Sequence, residues 1–413
     1  MENTLENKRK EYARLLVEIG LGLQRGQTLL LQSPVACAPF ARLCASAAYD
    51  AGAREVVLSW SDDFLTRERY LRADGAVFDE VPAWRKHLLN DAAVAGTPRL
   101  VIDAADPELL RDVDADRIVR AQRAAGDALE PYYHAYMNND APWCIAAVPI
   151  PSWAKRVFPD VSEDEATEKL WDAILETVRV TGDGRSAERW RAHLATLEER
   201  KNRLNALRFK SLHYANRLGT DLTVELPEGH LWSAGSGATP KGQPFVANIP
   251  TEEIFTAPHR LGVNGVVYAA LPLVDNGNVI DGFHLVVRNG KIVEAHAETG
   301  EAFLRAACTV DEGASYFGEV ALVPYDSPIS NQGILYYNTL FDENARCHLA
   351  FGEAYPECLE GGNAMSREEL RAHGLNRSIN HVDFMVGTDD LSIVGTTRDG
   401  REVPVFVDGN FAL

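Results

Sequence analysis

The sequence predicts an α/β N-terminal domain with a mostly parallel sheet, followed by an α+β C-terminal domain with a mixed or antiparallel sheet. Three observations carry this. In the first half, short apolar runs alternate with helix-length segments. In the second half, β-rich runs follow one another with Asn and Gly between them. A highly charged helical stretch at 186–206 separates the two patterns and places the expected boundary near residue 205, giving domains 1–205 and 206–413. A chain of 413 residues has two domains as its natural division, and each is long enough to bury a core.

Residues 5–19 carry Leu5, Tyr12, Leu15, Leu16 and Ile19 at helical spacing. The run Q-T-L-L-L-Q at 27–32 predicts the first strand. Residues 37–52 are rich in Ala and end in D-A-G, a helix with a glycine stop. Further apolar runs at 55–60, 99–104 and 143–149 predict three more strands with helical segments between them. That β-α-β rhythm makes a mostly parallel sheet covered on both faces. Ser162 and Glu165 form the sequence signature of a capping box before Leu170, Ile174 and Val178. Strands are expected at 222–226, 265–271, 283–288 and 291–296, with Asn289-Gly290 as a two-residue hairpin turn and D-N-G-N at 275–278 as another break. Shorter strands follow at 319–323, 382–386, 391–395 and 403–407. Ser366 and Glu369 signal a second capping box.

The formal net charge of −19 argues against a nucleic-acid partner, because phosphate neutralisation needs a basic face. It argues equally against an anionic membrane surface. Six cysteines without a C-x-x-C pair read as reduced, buried thiols rather than a disulfide framework. The N-terminus has no apolar h-region, and no apolar stretch approaches the roughly 20 residues that span a bilayer. The expected location is cytoplasmic.

Several familiar motifs fail. Gly20-Leu-Gly-Leu-Gln-Arg-Gly26 has the wrong spacing for a dinucleotide fingerprint and precedes a strand instead of following one. The Gly-rich run 235–242 lacks the ending of a phosphate loop. Neither H-E-x-x-H nor G-x-S-x-G occurs.

One set of residues survives. Glu253, Glu319, His348, His381 and Asp383 are carboxylates and imidazoles, the types that bind divalent cations without thiolate. His381 and Asp383 alternate about Val382, so on a strand both point to one face. Glu319 follows Gly318 and opens V-A-L-V, where a charge is costly unless it is paired or meets a cation. Glu252-Glu253, between Pro250 and Pro258, reads by itself as a solvated acidic turn. His348 and Tyr355 are seven apart and share a face if that segment is helical; otherwise the spacing says little.

The segments N-I-P-T-E-E-I-F-T-A-P, Y-F-G-E-V-A-L-V-P-Y-D-S-P-I, Y-N-T-L-F-D-E-N-A-R-C-H-L-A-F-G-E-A-Y-P and N-H-V-D-F-M-V-G-T resemble the thermophilic-type metallo-aminopeptidase family, and the resemblance covers the whole chain. It implies hydrolysis of the N-terminal peptide bond by a two-metal-activated water. It implies two divalent ions (Zn, Co, Mn or Mg) held by Glu253, Glu319, His348, His381 and Asp383, with Glu319 bridging. Tyr355 matches the family's active-site tyrosine, and Glu252 is left either as a group that supports the ligands from behind or as the candidate base. Peptides with a free N-terminus are the implied substrates. A homodimer whose first domain helps enclose the catalytic cavity is also implied. The competing readings are a two-metal hydrolase of another bond, such as a phosphoester, with Arg260, Arg346 and Arg377 as the basic residues, and a non-catalytic metal- or peptide-binding protein. A nucleotide-binding α/β protein rests on the first half alone.

Overall fold

The computed structural model describes residues 4–104, 106–275 and 278–413. The chain divides into two compact units, 1–194 with 236–250 and 195–235 with 251–413. The return of 236–250 to the first unit has no counterpart in the single boundary expected near residue 205.

The first unit holds a five-stranded, wholly parallel sheet. Its strands are Thr28–Pro34, Glu55–Ser61, Arg99–Asp103, Trp143–Ala147 and the short Asn248–Ile249. Numbered along the chain, their spatial order is 2-1-3-4-5, a doubly wound arrangement. Leu29, Leu30 and Leu31 are all buried, as a strand covered on both faces requires. The expected first helix is α-helical over Leu5–Leu15 and closes in a π turn at Leu16–Gly20. The expected second helix runs over Ala38–Asp50. Ser162 caps Glu163–Thr177 by accepting the Glu165 N–H.

The second unit is antiparallel. An eight-stranded sheet runs in the order Lys291–His296, His284–Arg288, Val263–Tyr268, Asp221–Glu225, Phe209–Ala215, Ser392–Thr397, Glu402–Val407 and Asn410–Phe411. A five-stranded sheet runs His381–Met385, His348–Gly352, Phe317–Leu322, Ile254–Thr256 and Ser233–Ala234. Phe209, Leu212 and Leu285 from the larger sheet share one core with Val320, Leu349, Phe351 and Phe384 from the smaller. Asn289 (φ 51°) and Gly290 (φ 78°) make the predicted hairpin turn, where both residues need positive φ. Ser366 and Glu369 form the reciprocal capping box that opens Arg367–Ala372. Asn276-Gly277, in the expected D-N-G-N break, lies outside the described residues. Among the described residues, no helix is long and apolar enough to cross a membrane.

Candidate metal centre

Every predicted ligand belongs to, or directly precedes, a strand of the second unit's five-stranded sheet. Its register puts Glu319, Ala350 and Asp383 in one cross-strand row. The next row is Phe255, Ala321, His348 and Met385, and Gly352 pairs with His381. Side chains two apart on a strand share a face. One face therefore carries Glu319, His348, His381 and Asp383, and Glu253 joins it two residues before Phe255. The other face sends Val320, Leu322, Leu349, Phe351, Val382 and Phe384 into the core. The residues standing between the ligands are Ala321, Ala350 and Gly352, small enough to leave space where the ligand atoms converge.

Glu319 reaches that face through a bulge. Phe317 lies in the core, and regular alternation would send Glu319 there too. The register shift between Phe317 and Glu319 reverses its direction. Gly318 makes this possible, since a Cβ there would lie 2.1 Å from the Glu353 carbonyl oxygen. A glycine just before a carboxylate at a strand mouth is thus part of the site.

The ligand atoms meet in two groups that share Glu319: Glu253, Glu319 and His348, and Glu319, His381 and Asp383. Within each group they lie within 4.8 Å of one another. His348 Nε2 is 3.3 Å from Glu253 Oε2. His381 Nε2 is 3.0 Å from Glu319 Oε2 and 3.1 Å from Asp383 Oδ1. Both imidazoles are aimed by their other nitrogen. His348 Nδ1 lies 2.9 Å from the Glu343 carbonyl, and His381 Nδ1 lies 2.8 Å from the Glu353 carbonyl. A backbone acceptor at Nδ1 leaves Nε2 free to act as a metal ligand.

The electrostatics also suit a cation. Burial pushes the Glu319 carboxyl up, His381 opposes this, and Asp383 and Glu253 add to it. Glu343 is pushed well up by burial, then by Asp383 and Glu253. Burial would lower His348, but the hydrogen bond and charge of Glu253, with Asp383 and Glu319, hold it up at about 10. The surplus negative charge that draws protons onto the imidazoles is the field a divalent cation would meet. Oxygen and imidazole donors, a charge surplus and a cleared face all fit a metal.

Glu252 and Glu253 are both buried, contrary to a solvated turn. The Glu252 N–H donates to Asn344 Oδ1 at 2.8 Å. Arg200, pushed down by burial, feels Glu252 as its leading compensating charge. The segment after His348 is a strand, not a helix. Tyr355 lies beyond its end, and its ring sits edge-on to His381 at 5.2 Å and to Phe255 at 5.8 Å between centroids. Burial raises the Tyr355 phenol, which stays protonated and able to donate. Glu343, beside the cluster, is not marked as a site residue by any motif. Its only signal was its place inside the D-E-N run before His348. Cys347 is buried and bonded to the Val323 carbonyl at 3.2 Å, away from the ligand face.

A buried imidazole–carboxylate cluster on one face of an antiparallel sheet is a donor set that could hold divalent cations of the kind metal-dependent hydrolases use. Comparison with known proteins narrows the class. The chain belongs to the thermophilic metalloprotease (M29) family, which it matches over residues 5–411. It is 44% identical over 411 residues to "Aminopeptidase 2" of Geobacillus stearothermophilus, covering 100% of this chain and 99% of that one. It is 42% identical to "Aminopeptidase AmpS" of Bacillus subtilis, with 100% of both chains covered. Among solved structures it resembles wild-type AmpT from Thermus thermophilus, with a TM-score of 0.92 and 38% identity over 99% of this chain and 100% of that one.

Proposed function

We propose that this protein is a metal-dependent aminopeptidase that cleaves the N-terminal peptide bond of peptides with two divalent cations. The observation that carries the two-cation reading is the membership of Glu319 in both ligand groups. One carboxylate has an oxygen for each side. Family membership and the names of its relatives support the reaction and the substrate class. Glu253 and His348 would hold one cation, His381 and Asp383 the other, and Glu319 would bridge. Bound cations supply Lewis acidity and lower the pKa of water towards ~7. Zn, Co, Mn and Mg all accept this donor set.

The chain's own residues supply the rest. Tyr355 donates a hydrogen bond to the scissile carbonyl oxygen as it gains charge. Glu252 carries the proton to the leaving amine. The carboxylate surplus attracts the substrate's α-ammonium, which restricts cleavage to the N-terminal residue. A homodimer and a cytoplasmic location belong to the same reading, on the family resemblance. The phosphoester alternative loses two of its three basic groups to ion pairs. Arg260 pairs with Glu312 at 2.8 Å, Arg377 pairs with Glu353 at 2.7 Å, and Arg346 lies over the Tyr325 ring at 4.0 Å.

The test is hydrolysis of aminoacyl-p-nitroanilides and their N-acetylated counterparts by chelator-stripped protein, with and without added Zn or Co. The proposal expects metal-dependent cleavage of the free-amine substrates alone. Equal cleavage of the acetylated set, or none with any metal in folded protein, contradicts it.

A further inference from the structure

We infer that Asn344 is a positioning residue that sets the Glu253–His348 half of the metal cluster. This rests on the two-cation reading above. Asn344 is fully buried in the 3-10 turn Glu343–Ala345. Its Oδ1 accepts the Glu252 N–H at 2.8 Å, and its Nδ2 donates to the Leu340 carbonyl at 3.0 Å. The amide thus ties the segment that carries Glu253 to the turn that precedes His348. The residue just before it supplies the carbonyl that aims His348 Nδ1, at 2.9 Å. One side chain therefore adds to the strand pairing a direct tie between two ligand-bearing segments that are far apart in sequence.

The chemistry requires an amide. The oxygen must face the Glu252 N–H, and the nitrogen must face the Leu340 carbonyl, so the amide has one orientation. Alanine would leave a buried N–H and a buried carbonyl without these partners. Aspartate keeps the acceptor but sets a carboxylate oxygen against the Leu340 carbonyl.

The turn itself is braced from the other side. Asp342 accepts the Tyr336 N–H at 2.9 Å and the Asn338 N–H at 3.0 Å, on either side of Tyr337, whose φ is 54°. A bulky residue in the left-handed region persists only where its surroundings enforce it. The turn is thus a fixed base, and Asn344 is its connection to Glu252 and Glu253. The other half of the cluster is held independently. The Glu353 carbonyl aims His381, while the Glu353 carboxylate is held by Arg377 at 2.7 Å and by the Ser378 N–H at 2.7 Å.

The experiment is calorimetric titration of Zn into chelator-stripped protein, with thermal melts of the stripped protein to establish folding. Wild type is expected to bind in two steps, and the step lost in Glu253→Ala identifies the Glu253–His348 half. Asn344→Ala is expected to weaken that step roughly 10–100-fold and leave the other unchanged, the usual size for an outer partner of a metal ligand. Asn344→Asp, which keeps the acceptor for the Glu252 N–H but loses the donor, is expected to weaken the same step as well. A merely structural role would move both steps together with the melting temperature. Equal weakening of both steps, or no change in either variant, overturns the assignment. A single step in wild type overturns the two-cation reading itself, and the role of Asn344 with it.

Discussion

Glu319 is the residue on which the cluster turns, because both ligand groups include it. Glu319→Gln is expected to abolish binding at both sites, and elemental analysis of dialysed protein checks it; near-normal activity contradicts the bridging role. Tyr355→Phe is expected to keep its metal and lose roughly 10²–10³-fold in kcat, the usual worth of an oxyanion donor. Loss of metal from that variant would make the tyrosine a ligand or a support. Glu252→Gln is expected to lower kcat with metal retained. A larger kcat effect from Glu343→Gln would pass the proton-carrying role to Glu343, whose carboxyl is pushed well up by burial and then by the charges of Asp383 and Glu253. A titration elsewhere sets part of the pH dependence of stability. His230 is buried, with Nδ1 3.1 Å from the Pro227 carbonyl, and burial holds its pKa below the ordinary 6.5. The fold therefore favours the neutral ring. Its contribution is present above pH ~6.5 and is lost as pH falls through the lowered value. Urea melts from pH 7.5 to 5 are expected to show wild type losing stability relative to His230→Asn over that window; a pH-independent difference contradicts this. At this scale the sequence displayed donor types and the His381–Asp383 alternation. It hid Glu343 and Asn344, because their roles depend on which way a short turn faces.

At the scale of the element, the bulge at Gly318 decides which way Glu319 points. Gly318→Ala forces a Cβ against the Glu353 carbonyl, and overpacking of this kind costs roughly 1–3 kcal/mol. It is expected to destabilise the protein in urea melts and also to weaken metal binding, because the clash is relieved by moving either Glu319 or the Glu353 carbonyl that aims His381. Lost stability with unchanged metal affinity would show that the bulge merely fills space. Ala350→Leu tests the cleared face. It adds bulk between Glu319 and Asp383, so the expected outcome is a folded protein with impaired metal uptake. The strands Phe317–Leu322 and His381–Met385 were legible as apolar runs. The strand His348–Gly352 was not separable from a helix by pattern, because buried on both faces it shows no alternation. A bulge leaves no mark in composition beyond a glycine.

Across the whole molecule, the rhythm of apolar runs gave the parallel sheet of the first unit and the antiparallel character of the second. The spatial order of the strands was out of reach, because pairing between distant segments is set by tertiary packing. The return of 236–250 to the first unit was hidden for the same reason, since its contribution to the parallel sheet is only the two-residue strand Asn248–Ile249. All the candidate ligands belong to the second unit. Metal should therefore stabilise that unit by mass action, about 2.7 kcal/mol per site at a hundred times the dissociation constant. Calorimetric scans with and without Zn are expected to show an upward shift that Glu319→Gln abolishes; the same shift in that variant would place the ion elsewhere. The most direct test of the central claim is anomalous diffraction from a Zn-loaded crystal. The account predicts two peaks, one against Glu253 and His348 and one against His381 and Asp383, with Glu319 touching both. A single peak, or peaks away from these side chains, contradicts it.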